Sequence, residues 1–336
     1  MKGVVLSGTG GVWRVLGDDG EVREASLRGR LKKSDEGRRA DGSLRRDTVA
    51  SESRRGKLAV GDRVVLEGDA RDSGAWAIQE IAPRTSKLAR RSPGGGYGER
   101  VLVANVDQVV VVFAAARPEP HERMLDRFLV VAEANEIAAR VVVNKAELVG
   151  DGDAARGEAV VRARFADFER AGYPLHVTSV AQRHGLEALR GALAGRTSAL
   201  TGPSGVGKSS LMNALFPGLS LRVAAISDSV NKGRHTTVGA LLHPLPGGGP
   251  DAGFVVDTPG LREIGFWGLA PESIDECFPE LRPFLEGCRF ADCAHVAEPG
   301  CAVRDAVAGG AVSAARYDSY VKLREEILEG TPPEWA

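Results

Sequence analysis

No apolar run among the 336 residues approaches the roughly 18 that a membrane-spanning helix needs. The start, Met1-Lys2-Gly3, leads into a polar, Gly-rich stretch and not into the apolar core of a secretory leader. Neither sign of charge dominates: 44 Lys and Arg face 45 Asp and Glu, a formal net charge of −1. Any case for nucleic-acid binding must therefore be local. Cysteine is scarce, and its four copies, Cys277, Cys288, Cys293 and Cys301, all lie near the carboxyl end. Such clustering points to a metal more than to a disulfide framework. With 43% hydrophobic and 26% charged residues the chain reads as soluble and globular, long enough for two or three domains.

The most informative stretch is Gly202-Pro203-Ser204-Gly205-Val206-Gly207-Lys208-Ser209-Ser210. It has the form G-x-x-x-x-G-K-S and lies between an apolar run ending at Thr201 and a helical pattern over Leu211–Phe216. That is the strand–loop–helix setting of a phosphate-binding loop. Glycines let backbone N–H groups turn inward around phosphate oxygens, and the following helix aims its positive end at the same anion. Lys208 is expected on the β and γ phosphates and Ser209 on Mg²⁺. A nucleoside triphosphate is the implied ligand, and with it a cytoplasmic location.

Before it, residues 3–81 hold short β-type segments over 11–16, 20–25, 62–66 and 75–81, with no convincing helix. They suit a five-stranded oligonucleotide/oligosaccharide-binding (OB) barrel, and nearly as well an SH3-like one. A basic insert interrupts them, running from Arg28 and Arg30 through Lys32, Lys33, Arg38, Arg39, Arg45, Arg46, Arg54 and Arg55 to Lys57. It has too few apolar residues for a core and reads either as a solvated loop or as an arm that neutralises RNA phosphates. Lys87–Pro93 and Gly94-Gly95-Gly96 read as a linker closing a first domain, 1–98.

From Val101 the pattern becomes buried strands alternating with helices. Val109-Val110-Val111-Val112-Phe113 is continuous and apolar, and 122–139 carries helical spacing. Three polar signatures follow strand ends, where open α/β sheets bind ligands: Asn144-Lys145-Ala146-Glu147, Thr178-Ser179-Val180 and Asp257-Thr258-Pro259-Gly260. Together with the phosphate loop they resemble the GTPase signature set, but in rearranged order, as a circular permutation gives. Adding Val103–Gln108, Gly233-Arg234-His235-Thr236-Thr237 and the terminal Cys/His pattern, nearly the whole chain outside the basic insert resembles the RsgA/YjeQ GTPase family. The resemblance implies a GTPase, bound to GTP or GDP with Mg²⁺, acting on the 30S ribosomal subunit and its 16S rRNA late in maturation. It places no part in a membrane. A monomer is expected.

Carried onto this chain, the resemblance implies that Asn144 bonds the guanine and Lys145 packs over it. Ala146 and Glu147 complete that motif, and Ser179 and Val180 hold the base loop. Thr236 or Thr237 closes on Mg²⁺. Asp257 lies behind the metal, and Gly260 senses the γ phosphate. Glu147 stands where the family has aspartate; it offers the same two acceptor oxygens one methylene further out, at a freezing cost of about 1 kcal/mol or less. Guanine preference is expected to survive. Leu261 stands where many GTPases have a water-orienting glutamine, and His235, within these motifs, is the candidate catalytic residue.

The carboxyl-terminal spacing Cys288-x₄-Cys293-x-His295-x₅-Cys301 supplies three thiolates and one imidazole, a set that fits one structural, tetrahedral Zn²⁺. Cys277 is left over as a buried small hydrophobe. A helix is expected over 313–328, with Tyr317, Tyr320, Val321, Arg324, Ile327 and Leu328 on one face. The expected whole is a multidomain α/β protein. An OB-like barrel (1–98) precedes a circularly permuted P-loop GTPase domain (99–268) and a small helical zinc-binding domain (269–336). Competing readings are a nucleotide-gated switch for another RNA and a P-loop ATPase or kinase; no phosphoacceptor or lid signature supports a kinase.

Overall fold

The computed structural model of the protein describes residues 1–28, 58–68, 75–91, 99–219, 240–247, 249–257 and 269–329. The basic insert beyond Arg28, the glycine triplet at 94–96, His235, Thr236, Thr237, Gly260 and Leu261 lie outside the described residues.

The first unit is a closed barrel of β1 (Lys2–Thr9), β2 (Val12–Gly17), β3 (Val22–Leu27), β4 (Arg63–Gly68) and β5 (Trp76–Ile81). Its order is β1-β2-β3-β5-β4, with β1 also pairing β4 and with β3 parallel to β5. This is the OB arrangement, which decides between the two barrels the sequence leaves open. Gly10 and Gly11, both at positive φ, make the two-residue turn between β1 and β2. β1 escapes the sequence pattern for a physical reason: it is covered on both faces. Val5 points into the barrel with Val15, Val64, Leu66 and Ile78, while Val4 and Leu6 pack outward on the larger core. A strand buried on both sides shows no apolar/polar alternation.

Lys87–Pro93 is not simply a linker. β6 (Lys87–Arg91) pairs antiparallel with β7 (Glu99–Ala104), and Leu88 and Val103 are fully buried against the larger core. Burial of these two side chains makes the segment a strand.

The central unit is a six-stranded sheet in the order β10-β9-β8-β11-β13-β12. Its members are β8 (Gln108–Ala114), β9 (Ala138–Asn144), β10 (Leu175–Val177), β11 (Thr197–Thr201), β12 (Leu241–Pro244) and β13 (Phe254–Asp257). All neighbours are parallel except β12, which runs antiparallel to β13. Alternate side chains of β8 serve opposite cores. Val109, Val111 and Phe113 meet Leu125 and Leu129 of α1 (Glu122–Ala134) and Val161 of α2 (Ala154–Arg164), with α3 (Ala166–Arg170) adding Phe168. Val110 and Val112 meet Leu186, Leu189 and Leu193 of α4 (Leu186–Leu193) and Leu211, Met212 and Leu215 of α5 (Lys208–Leu215).

The helical spacing read over 122–139 stops short. α1 ends at Ala134; Asn135 follows, Glu136 takes a positive φ, and the Ile137 N–H reaches back to the Ala132 carbonyl. That closing turn frees Ala138 and Ala139 to begin β9 despite their helical propensity.

The last unit has short turns at Pro271–Ser273 and Asp275–Cys277, then α6 (Arg282–Leu285), α7 (Ala302–Ala308) and α8 (Ala314–Glu329). Its core of Ile274, Phe278, Leu281, Val303, Val312, Tyr320 and Leu323 takes in Val130 from α1. The face expected on α8 needs correcting: Leu328 is 56% exposed, whereas Leu323 and Arg316 are buried. Arg316 bonds Asp126 of α1 and Glu280, under the rings of Phe278 and Phe168. This buried charge on α8 answers a buried charge on the sheet domain, so the last unit docks on α1 and does not rely on its own thin core. Among the described residues no helix is long and apolar enough to cross a membrane.

Candidate functional site

Parallel register brings the ends of β8, β9, β11 and β13 to one edge of the sheet: Ala114 lies beside Asn144, Thr201 beside Val111, and Leu200 beside Asp257. The phosphate loop leaves β11 there. Gly202 has φ 130, and a Cβ on it would stand 2.0 Å from the Val112 carbonyl oxygen. Gly207, at φ 92, would push a Cβ to 2.7 Å from Asn144 Nδ2. Both positions therefore require glycine. α5 begins directly at Lys208, so its first N–H groups face the loop. Lys208 Nζ donates to the carbonyls of Gly202 (2.8 Å) and Pro203 (2.6 Å), which keeps the ammonium inside the mouth of the loop. Ser209 is buried beside it, as is Val206, while Ser204 and Gly205 lie exposed at the tip and Ser210 is half-buried.

Across the loop stands the Asn144–Glu147 segment. Asn144 is buried, its Nδ2 donating to the Val206 carbonyl (3.1 Å) and its Oδ1 accepting from the Thr178 hydroxyl (3.2 Å). One side chain thus ties the phosphate loop to the loop after β10, and one N–H and one lone pair remain for a ligand. Lys145 takes a left-handed backbone, φ 63, and its ammonium donates to the carbonyls of Gly205 (2.7 Å) and Arg117 (2.5 Å). The Ala146 N–H bonds the Thr178 carbonyl. Ser179 is fully buried, pairs with His184 and accepts from the Gln182 N–H (3.1 Å); Val180 packs against the core under α4. Asp257 ends β13, next to Leu200 and Leu241. Thr236, Thr237, Gly260 and His235 lie outside the described residues.

Glu147 Oε2 is buried and has no hydrogen-bond partner in the protein. A carboxylate oxygen withheld from water and left unpaired costs about 1–3 kcal/mol or more; Glu280 Oε2 in the last unit is a second such oxygen, so the missing partner does not by itself identify a ligand. Guanine offers two adjacent donors on one edge. A carboxylate, an amide and two ammonium groups at one sheet edge are a set that a guanine nucleotide can use.

The family model described as RsgA GTPase matches residues 81–267. The chain belongs to the RsgA GTPase family. Membership makes it a GTP hydrolase. It is 61% identical over 326 residues to the "Small ribosomal subunit biogenesis GTPase RsgA" of Gemmatimonas aurantiaca, covering 97% of each chain. To the protein of the same name from Azotobacter vinelandii it is 41% identical over 81% of this chain and 76% of that one. Among solved structures it is similar to YjeQ from Thermotoga maritima (TM-score 0.71, 33% identity, 97% and 98% of the two chains covered). It is also similar to YloQ, described as a circularly permuted GTPase (TM-score 0.69, 28% identity, 99% and 96% covered). The permutation is visible in the sheet: the phosphate-loop strand β11 is central yet fourth of the six in chain order.

A second cluster lies in the last unit. The donor atoms of Cys288, Cys293, His295 and Cys301 all lie within 4.8 Å of one another. His295 Nδ1 is 3.4 Å from both Cys288 Sγ and Cys301 Sγ, which are 4.0 Å apart. Three sulfurs and a nitrogen so placed are a set able to hold a metal ion. His295 Nε2 meets Asp275 Oδ2 at 3.2 Å, which turns Nδ1 toward the thiols. α8 grips the same loop through Tyr317 and Tyr320, whose hydroxyls donate to the carbonyls of His295 and Ala294. Cys277 stays apart; burial pushes its thiol up to about 12, as suits an inert packing residue.

Thr178, Arg117 and Asp275 are the contributors that sequence reasoning does not assign. Thr178 sits inside the quoted Thr-Ser-Val and has a local signal; the other two act through a carbonyl and a distant turn, and have none.

Proposed function

We propose that this GTPase binds the small ribosomal subunit during its maturation and hydrolyses GTP faster when bound to it. The names carried by its close relatives support the partner, and the phosphate loop with Asn144 and Lys145 packed beside it supports the nucleotide. In this reading Glu147 accepts from the guanine edge and Asn144 holds the base loop to the phosphate loop. Lys145 lies along the base, with Ser179 and Val180 shaping its far side. Lys208 exchanges the carbonyls of Gly202 and Pro203 for the β and γ phosphates, a swap of neutral for charged acceptors that favours the bound state. Bound Mg²⁺ would offset phosphate charge; Ser209 and Thr236 or Thr237 would hold it, with Asp257 behind and Gly260 near the γ phosphate. Leu261 can neither donate nor accept a hydrogen bond, so His235 is assigned to orient the attacking water.

The cluster of Cys288, Cys293, His295 and Cys301 is assigned one structural zinc. Bonds of about 2.3 Å to sulfur and about 2.0 Å to nitrogen give tetrahedral edges of about 3.5–3.8 Å, close to the 3.4 and 4.0 Å separations among Cys288, His295 and Cys301. When bound, the ion ties the loop of residues 288–301 to α7; four protein ligands leave no position for catalysis. The three working units are taken as 1–98, 99–268 and 269–336, acting as a cytoplasmic monomer, with the basic insert as an electrostatic arm on RNA. Cosedimentation with purified 30S subunits tests the partner. Retention with a non-hydrolysable GTP analogue and release with GDP is expected; equal, background pelleting in both states would refute it.

A further inference from the structure

Lys145 is the residue of the base side whose position depends most on borrowed contacts. Its ammonium is held by two carbonyls, one from the phosphate loop and one from Arg117 in the segment between β8 and α1. Arg117 itself has a left-handed backbone, φ 54, which a side-chain-bearing residue keeps only where its surroundings determine it. The segment abuts the phosphate loop: Pro118 Cδ lies 3.7 Å from where a Cβ on Gly205 would stand. Its start is tied by the Ala115 N–H, which donates to the Asn144 carbonyl at 2.7 Å.

The other end is tied by one side chain from outside every nucleotide motif. Arg164, the last residue of α2, donates Nη1 to Glu119 (2.5 Å), Nε to Glu122 (3.0 Å) and Nη2 to the Pro120 carbonyl (3.2 Å). Three donors of one rigid fork thus fix three points within four residues. Burial pulls the Arg164 pKa down, and the bonds to Glu119 and Glu122 more than offset it, so the guanidinium stays charged.

We propose that Arg164 is a positioning residue for guanine-nucleotide binding, pinning the β8–α1 loop so that the Arg117 carbonyl holds Lys145 in place along the base. This rests on the assignment of Lys145 to the base side of the site. The loop is exposed at Arg117, Pro118 and Glu119, and Pro120 is the one buried residue of 117–121. Without the fork this end loses three of its tethers, the Arg117 carbonyl is freer to turn away from the site, and Lys145 loses one of its two acceptors.

The test is a double-mutant cycle read by binding of fluorescent GDP to the full chain. Arg164→Gln is expected to weaken binding about three- to tenfold at low salt and less at 1 M NaCl, because its ion pairs are partly exposed. Arg164→Lys, charged but without the fork, should fall between. In a Lys145→Ala background the Arg164→Gln change should add no further loss. An unchanged Kd in Arg164→Gln, or an equal loss with and without Lys145, would overturn the proposal. If Lys145→Ala binds GDP like the parent, the base-side assignment fails and the proposal with it. A simple loss of helix stability would lower the unfolding midpoint and not give this non-additivity. Should Arg164→Gln not fold, the pair Glu119→Gln and Glu122→Gln loosens the same loop without touching α2, and the same cycle decides.

Discussion

Replacing Glu147 with Gln changes one oxygen into an N–H₂ and tests the base site directly. Glu147 Oε2 has no hydrogen-bond partner in the protein and is covered from water, so base binding has to open it to the guanine edge. Hydrogen bonds to a charged acceptor contribute about 1.5–3 kcal/mol each, and guanine presents two donors. Gln keeps one acceptor and turns a donor toward a donor. The expected loss is about 3–5 kcal/mol, or roughly 10²- to 10⁴-fold in Kd for GDP. Xanthosine diphosphate, which carries an acceptor where guanine carries its amino group, should lose far less or gain. The unliganded protein should change little, because no protein partner of that oxygen is lost; its unfolding midpoint is expected to stay level. Competition of GDP and xanthosine diphosphate against a fluorescent GDP measures both affinities, and thermal unfolding without nucleotide measures the rest. A loss under tenfold for GDP, with unchanged xanthosine diphosphate affinity, would mean that Glu147 does not read the base.

Arg316→Ala leaves the Asp126 carboxyl buried between α1 and α8 with the Ser319 hydroxyl as its remaining partner, and should cost about 3–5 kcal/mol in chemical denaturation. Burial already raises the Asp126 pKa against the pull of Arg316, and removing Arg316 raises it further. A carboxyl with a higher pKa folded than unfolded binds more protons when folded, so the variant should regain stability as pH falls from 8 to 5; a loss over that interval, relative to the parent, would contradict the sign. Cys293→Ala should abolish the one zinc per chain and unfold the region beyond about 270, measured by metal analysis and limited proteolysis; a full zinc complement would sink the assignment. Deleting 34–56 should weaken RNA binding and flatten its log-affinity against log-salt slope while GDP affinity holds; equal slopes would make the insert a solvated loop.

Much of this protein is legible in sequence because its chemistry is local. The phosphate loop needs glycine at 202 and 207 for close approach to Val112 and Asn144, and such needs are written into consecutive residues. The Cys/His set is likewise local. What escapes is set by contacts between distant segments. β1 hides because the barrel and the sheet both cover it, and β6 because Leu88 is buried by a neighbouring unit. The face of α8 is misjudged because Arg316, a residue that normally marks the surface, is neutralised by Asp126, 190 residues away. The same cause conceals Asp275 behind His295 and Arg117 behind Lys145: a carbonyl or a remote carboxylate carries no spacing signature.

The central claim is that this is a GTPase whose activity belongs to the small ribosomal subunit. Phosphate release from GTP, with and without purified 30S subunits, tests it most directly. The account predicts slow turnover alone and at least about a tenfold rise with 30S subunits, equivalent to about 1.4 kcal/mol of barrier, with most of the rise lost in His235→Ala. An unchanged rate for the parent protein on adding 30S subunits would contradict it.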